Sequence, residues 1–506
     1  MKRPRTPSFA LVDDDYSGCH SFGTPKRLRP QDGFDANSLL PTMDLDRDNN
    51  RSCDMDDWNA LKELHALAIE VYEGTSPLDA LPLLRRVLRE SERFLSIYRD
   101  PSLVYAPAPV YSPRPSPPAL PTSDALLSHD WDNDDAFSSP SSLLLTLEPT
   151  TDPSRPPEPI TAFYTIYGSA LFAFGTLIIR DPTIVQSDEV PTPGYYFARA
   201  LDVMEVGENH PRRARQDGTV PEDFRLALTC GRTLVYLAEE RLSGQPQRTL
   251  PAYADTLWPA ESPFSAKSLP FPPRRLSLPR LGPSGILSLA VDQLMRGFLH
   301  MPHTHKQPLP NSPNSNFPRC RTLHTIGSEM LAIASKLPAA SDRKQWAMWA
   351  DRNAFAQMTF EADAEPWRPQ LALARGKCCM VAAKASLHTL SSQLASGTPS
   401  ALDTTEVADC ADLLNKTVRH LTLASHTEDA PAVAQEARTL LLEAHEMLSN
   451  VPKEPDLRET SMDRSESTTR SPAVAATATA AAVRRRSLSA RCRSIAASVV
   501  DLCTHA

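Results

Sequence analysis

Apolar residues recur at three- and four-residue steps through most of this chain, and no run alternates apolar and polar as a half-buried strand would. That spacing predicts helices. Trp58, Leu61, Leu64, Ala68 and Val71 form one apolar face over about 56–73, with Asp56 and Asp57 placed to cap it. Gly74 ends this helix, and Ser76-Pro77 opens a second whose stripe is Ala80, Leu83, Leu84, Val87, Leu88, Phe94 and Leu95. The stretch of about 160–179 is apolar nearly all round, which predicts a central, buried helix. Gly168 and Gly175 lie seven apart on one of its faces and leave room for a close neighbour. Further helices are expected over about 193–206, 221–242, 284–300, 323–337, 342–360, 367–390, 404–424 and 430–448. Helical pairs without strands predict an all-α fold, a tetratricopeptide-like helical-repeat array in two blocks. An irregular helical bundle is the alternative.

Composition places the breaks between helices. Of 506 residues 48 are proline, roughly twice ordinary usage, and only 17 are glycine. The prolines crowd into a few stretches, which are expected to be disordered or linkers. These are a disordered segment 1–54, an insertion 100–158 within a helical block 55–243, a Pro-rich linker 244–283, and a loop 301–321 within a second helical block 284–450. A low-complexity tail 451–506 carries the basic run Arg484-Arg485-Arg486. The net charge of −8 gives no global case for nucleic-acid binding. Nine cysteines without a C-x-x-C pair argue against a zinc finger and for reduced thiols. The basic N-terminus has no following apolar run, so no secretory signal is expected. The longest apolar run, 170–179, is too short to cross a bilayer, and no membrane association is expected.

Catalytic patterns are missing. The sequence has no G-x-x-x-x-G-K-[ST], no G-x-G-x-x-G and no G-x-S-x-G. His300, His303 and His305 are the sharpest metal-ligand candidates, three imidazoles in six residues. Pro302 breaks the helix between them and no carboxylate or thiol stands near in sequence, so a solvated loop is the plainer reading. Cys378-Cys379 follow Arg375 and Lys377, which would lower a thiol pKa, but they sit on a small-residue helix face where cysteine is compact filler. Glu63 with His65, and Glu443 and Glu446 with His445, read as solvated helix faces. Phe163, Tyr164, Tyr167, Phe172 and Phe174 read as helical core rather than a ligand box. No catalytic residue, cofactor or metal ion is therefore expected, and the chain reads as a non-enzyme. Lys2, Arg3 and Arg5, with Lys26, Arg27 and Arg29, form two basic clusters of the kind that nuclear import receptors read. Thr6-Pro7 and Thr24-Pro25 beside them look like proline-directed phosphorylation sites, where a phosphate would offset the basic charge.

Three groups of residues carry a resemblance to a known family. The first is Leu61-Lys62-Glu63-Leu64-His65-Ala66-Leu67-Ala68-Ile69 with the helix 81–95. The second is Phe163-Tyr164-Thr165-Ile166-Tyr167-Gly168-Ser169-Ala170-Leu171-Phe172-Ala173-Phe174-Gly175 with 196–207. The third is the helix 371–387 with the pair around Leu413-Leu414 and 437–448. Together with the leader Lys2-Arg3-Pro4 these resemble the enhancer of translation termination family, fungal nuclear proteins with tetratricopeptide-like helices. The resemblance implies a role in translation termination, a nuclear pool that extends to the cytoplasm, and effects on gene expression. It implies protein partners, among them translation or termination factors, and no catalytic residues. Paired amphipathic helices independently suit the binding of a peptide or helix. Two other readings are compatible with the sequence: a regulator of gene expression, including transcription, that contacts nucleic acid or chromatin partners through its basic tails, and a metal-dependent enzyme using the His300 loop.

Overall fold

The computed structural model describes residues 53–74, 76–106, 158–214, 222–243, 257–265, 268–269, 272–303, 318–395 and 404–451. The chain divides into a unit of 1–52, outside those residues, and a unit of 53–506. Among the described residues the fold is all-α, without a strand. Eleven longer helices are used below: α1 (Met55–Tyr72), α2 (Leu81–Ile97), α3 (Ala162–Arg180), α4 (Pro193–Glu208), α5 (Phe224–Leu242), α6 (Pro283–His300), α7 (Arg319–Lys336), α8 (Ala340–Trp349), α9 (Arg368–Ala395), α10 (Thr404–Ser425) and α11 (Pro431–Asn450). Each lies within a few residues of its expected place. The N-terminal cluster 1–54 is outside the described residues except Cys53 and Asp54, and so is the tail after Val451.

Local chemistry explains the ends. Asp54, rather than Asp56 or Asp57, caps α1: its carboxylate accepts from the Asp56 and Asp57 N–H groups at 2.9 and 3.0 Å, and Asp57 accepts back from the Asp54 N–H at 3.3 Å. This reciprocal box satisfies donors the helix would otherwise leave unpaired. Ser76 makes no side-chain cap bond. Pro77 instead opens a 3₁₀ turn, Pro77–Ala80, and α2 starts after it. Asp223 caps α5 with one oxygen, and with the other accepts from the hydroxyls of Thr161 and Thr165 at 2.7 Å each, tying the starts of α3 and α5 together. The expected single helix 342–360 is α8 continued through a π-helical turn, Ala350–Phe355. There Asp351 pairs with Arg375 at 2.7 Å.

Helix α3 is the central element. Every residue from Phe163 to Ile178 is buried except Ser169. The whole helix is longer than the run 170–179 and is long and apolar enough to pass for a membrane span. Here its neighbours cover it: α1, α2, α4 and α5 all pack on it. Gly168 and Gly175 face Met204 and Phe197 of α4, where an added Cβ would lie 2.7 Å from Met204 Cγ and 2.8 Å from Phe197 Cε1.

The array then runs on without a break. Helix α5 packs on α4, α6 and α7; α7 on α8; α8 on α9; and α9 on α10 and α11. The α5–α6 crossing is close because Gly231 and Gly297 face into it: a Cβ at Gly231 would lie 2.6 Å from Leu294 Cγ, and one at Gly297 2.4 Å from Leu228 Cδ2. Arg232 donates twice to Glu329 of α7, at 2.9 and 2.6 Å, and stacks 4.8 Å from the Phe172 ring. The two helical blocks read in the sequence are thus in direct contact.

The described residues of two proline-rich stretches pack against the helices. In the expected insertion 100–158, Tyr105 stacks on Trp58 at 4.2 Å and donates to the Ile160 carbonyl at 2.8 Å. In the expected linker 244–283, Trp258, Phe264, Arg275 and Leu278 are buried. Proline disfavours helix interiors and central strands but leaves side chains free to pack, and these stretches carry aromatic and basic residues for which the helices have partners.

Phe172 lies against Phe197, Tyr236 and Arg232. Phe172→Ala should lower the unfolding free energy by about 3–5 kcal/mol. Denaturant unfolding should remain a single transition with both blocks melting together, and a loss below about 1 kcal/mol would place Phe172 outside the core. Gly231→Ala drives a methyl toward the Ala290 carbonyl, 3.1 Å from the new carbon, and should lower stability by about 1–3 kcal/mol in the same assay.

Candidate interaction site

Helix α4 carries three carboxylates at three-residue steps, Asp202, Glu205 and Glu208, among Leu201, Val203, Met204 and Val206. Three-residue steps keep them on neighbouring faces of one helix. The chain between α5 and α6 comes back to meet them. Trp258 Nε1 donates to Asp202 Oδ2 at 2.8 Å, and Arg275 Nε donates to the same oxygen at 2.6 Å. The Arg274 N–H donates to Glu205 Oε2 at 2.9 Å, and its guanidinium lies 3.5 Å from Glu205 Oε1 and 2.8 Å from Glu208 Oε2. Arg296 of α6 pairs with both Glu208 and Glu222. The proline-rich strap is therefore fixed to α4 by a row of charge-assisted bonds.

Its aromatic residues fill a slot beside that row. Trp258 lies with its ring 4.0 Å from the Arg199 guanidinium and 4.7 Å from Phe264. Tyr167 of α3 contacts both rings, at 6.4 Å for Trp258 and 6.2 Å for Phe264. Arg199 donates to Tyr167 Oη at 2.9 Å and to Glu92 of α2 at 3.1 Å. The slot is thus walled by α2, α3 and α4. A guanidinium over an indole is a favourable cation–π pair, the more so where water is excluded.

Burial dominates the electrostatics. Asp202 is fully buried, which pushes its carboxyl up to about 7 despite the opposing charge of Arg275 and the Trp258 N–H. Burial likewise raises Glu205, partly offset by Arg274. Burial also works to raise Glu208, but its bond from Arg296 and the charge of Arg274 outweigh it and hold that carboxyl below its usual range. Asp202 Oδ1 and Arg199 Nε are buried without a hydrogen-bond partner.

The residues singled out in the sequence fall elsewhere. His300 faces Glu222 at 3.4 Å and His303 faces Glu361 at 3.0 Å, so the two imidazoles point to different carboxylates. Glu361 is already engaged by the buried Arg319 at 2.7 Å. His305 is outside the described residues, among which no group of three metal-ligating side chains occurs. Cys378 and Cys379 are buried, and burial raises both thiols, Cys379 to about 12. That is the reverse of what an activated thiolate needs. His65 shares a 2.7 Å hydrogen bond with Ser169 Oγ, and burial lowers it to about 4. Glu443 pairs with Lys384 at 2.8 Å, while His445 and Glu446 are exposed. The aromatic run 163–174 is core, and Tyr167 also reaches the slot. Lys2, Arg3, Arg5, Lys26, Arg27 and Arg29 lie outside the described residues, as does Arg484-Arg485-Arg486. Trp258, Phe264, Arg274 and Arg275 were hidden in apparent linker. The one sequence signal for them is the three carboxylates set into an otherwise apolar stretch of α4.

A raised native pKa has a defined sign. The native state holds the Asp202 proton more tightly than the unfolded chain, whose carboxyl titrates near 3.8. Its stabilisation is complete below about pH 4 and is lost as pH rises toward 7, at up to about 1.4 kcal/mol per unit. Buried His65 and His324, both lowered to about 4, act oppositely and lose stability as pH falls below 6.5. Asp202→Asn cannot titrate, so the stability difference between wild type and Asp202→Asn should shrink steadily from pH 5 to 7. A difference independent of pH would mean that Asp202 is ionised throughout.

No family model and no curated protein matches the chain. Among solved structures the chain is similar to the nuclear import adaptor Nro1 of S. pombe, with 12% identity and a TM-score of 0.38, covering 80% of this chain and 90% of that one in one crystal form. In a second crystal form the coverage is 84% and 95% at the same identity and score. A further structure, described as the hypoxic regulator of sterol synthesis Nro1 acting as a nuclear import adaptor, is 13% identical, with a TM-score of 0.37 over 80% of this chain and 84% of that one. At that identity and overlap the likeness does not extend to partner or activity.

Proposed function

We propose that this chain is a non-enzymatic interaction protein whose helical array binds a partner protein, and that it acts in translation termination with a nuclear pool. The observation that carries the interaction reading is the slot between α2, α3 and α4. It takes two aromatic side chains from a non-helical segment, Trp258 and Phe264, and reads the following arginines with the carboxylates of α4. Buried aromatic anchors beside charge-assisted contacts are the usual means by which a helical scaffold holds a peptide. The termination role rests on the sequence resemblance carried by the helices 61–95, 163–207 and 371–448. The nuclear pool rests on Lys2, Arg3 and Arg5 and on Lys26, Arg27 and Arg29, clusters of the type import receptors bind.

Deletion of the gene should raise stop-codon readthrough in a dual-reporter assay, and the wild-type chain should restore it. Unchanged readthrough in the deletion would remove termination from the reading and leave the interaction role to be tested by affinity capture. Replacing Lys2, Arg3, Lys26 and Arg27 with alanine should move the protein toward the cytoplasm by microscopy. An unchanged distribution would shift the import signal to Arg484-Arg485-Arg486 or away from basic clusters altogether.

A further inference from the structure

We infer that the strap segment 257–265 is an exchangeable, self-supplied occupant of the α2–α3–α4 slot, so that a partner bearing a peptide of like chemistry binds by displacing it. This rests on the interaction reading above and adds the regulation and the ligand class. The ligand is a proline-containing segment with two aromatic anchors six residues apart, as Trp258 and Phe264 are.

Three features distinguish an occupant from a core element. The first is how the strap is held. Among the described residues, its backbone bonds are local turns: the Ser262 N–H donates to the Pro259 carbonyl at 3.0 Å, Ser265 to Ser262 at 3.0 Å and Ser268 to Ser265 at 2.8 Å. It joins no helix ladder, so detaching it breaks side-chain contacts and leaves the array's own hydrogen bonds intact. The second is the anchors. Trp258 is 7% exposed and Phe264 fully buried, and both enter a slot whose walls, Tyr167, Arg199 and Asp202, belong to helices packed independently of the strap. The third is the polar bookkeeping at the slot floor. Asp202 Oδ1 and Arg199 Nε are buried without partners, and Trp258 of the seated strap lies against both residues. An unmet buried acceptor and donor oppose the seated state, and water satisfies both when the strap leaves. Aromatic burial favours closure and these two atoms favour opening, which brings the two states nearer in energy than aromatic burial alone would.

An occupied site has a reduced apparent affinity for an outside ligand, by the fraction of molecules in which the strap is open. Emptying the slot in cis should therefore reveal it in trans. The test uses the full chain carrying Trp258→Ala and Phe264→Ala, and a fluorescein-labelled peptide of residues 255–267 as the probe in fluorescence anisotropy. The peptide should bind the double variant at least about tenfold more tightly than wild type. Adding Arg199→Ala should weaken that binding by about tenfold, and a peptide with both aromatics replaced by alanine should not bind. Circular dichroism with a cooperative melt establishes that the variants are folded. A folded double variant that binds the peptide no better than wild type overturns the inference.

Hydrogen exchange on the wild-type chain decides the matter without any variant. Amides of residues 260–262, 264 and 265 should exchange at least about a hundredfold faster than those of α3 and α4. Exchange of the strap only with global unfolding makes it core and overturns the inference. Its failure is separable from that of the interaction reading. A partner recovered equally by wild type and double variant overturns exchange alone, whereas peptide binding to the double variant with no partner recovered by either chain overturns the wider reading.

Discussion

The helix Ala162–Arg180 is apolar nearly all round, and the need to cover it organises the first half of the molecule. Burying one large aromatic contributes a few kcal/mol, and this helix presents Phe163, Tyr164, Tyr167, Phe172 and Phe174 in different directions. Cover must come from several sides. Helices α1 and α2 supply one, α4 another and α5 a third. Tyr167 is met in part by chain that is not helical at all, at Trp258 and Phe264. Glycines at 168 and 175 set how near α4 approaches, and that distance places Arg199 beside Tyr167. The slot is thus a by-product of covering α3.

The second constraint is continuity. Close approach at Gly231 and Gly297 puts α6 directly on α5, and the bidentate Arg232–Glu329 pair carries the contact on to α7. Removing one partner of a half-buried ion pair leaves the other charge only partly solvated, so the pair ties together the two helices it joins. Arg232 also stacks on the Phe172 ring, so one side chain of α5 touches both α3 and α7. This explains why a proline-rich connection in the sequence does not separate two independent bodies: the helices on either side of it touch.

Helix positions were legible because the three-to-four spacing of apolar residues is a direct image of a buried face. Trp58, Leu61, Leu64 and Ala68 were read inward and lie inward, and the all-round apolar 160–179 is central. What was not legible depended on contacts distant in sequence. Asp56 and Asp57 looked like the cap of α1, but hydrogen-bond geometry gives that role to Asp54, with Asp57 completing the box. High proline content hid the strap, because composition reports the absence of helix and says nothing of whether a tryptophan or an arginine finds a partner. Asp202 pairs with Arg275, 73 residues away. No local pattern contains that pairing, and the carboxylates of an otherwise apolar helix are the one trace of it in the sequence. The basic clusters at Lys2 and Lys26 were legible as charge alone, and their effect depends on a receptor rather than on this fold.

The latch at Asp202 also bears on why the strap uses charge where apolar side chains would hold it more strongly. A buried ion pair is often no more stabilising than well-packed apolar residues of the same volume. What it adds is direction: Asp202 Oδ2 accepts from two donors that approach from different parts of the strap, the indole N–H of Trp258 and the guanidinium of Arg275. A strap displaced along the slot by one residue would keep much of its aromatic burial but leave a buried carboxylate unpaired, a far larger penalty than the lost packing. The polar row thus selects one register from several that aromatic burial alone would tolerate. Glu205 and Glu208 extend the same selection to Arg274. Within this chain the slot thus fixes the strap by the spacing between its aromatic anchors and its arginines as well as by apolar burial.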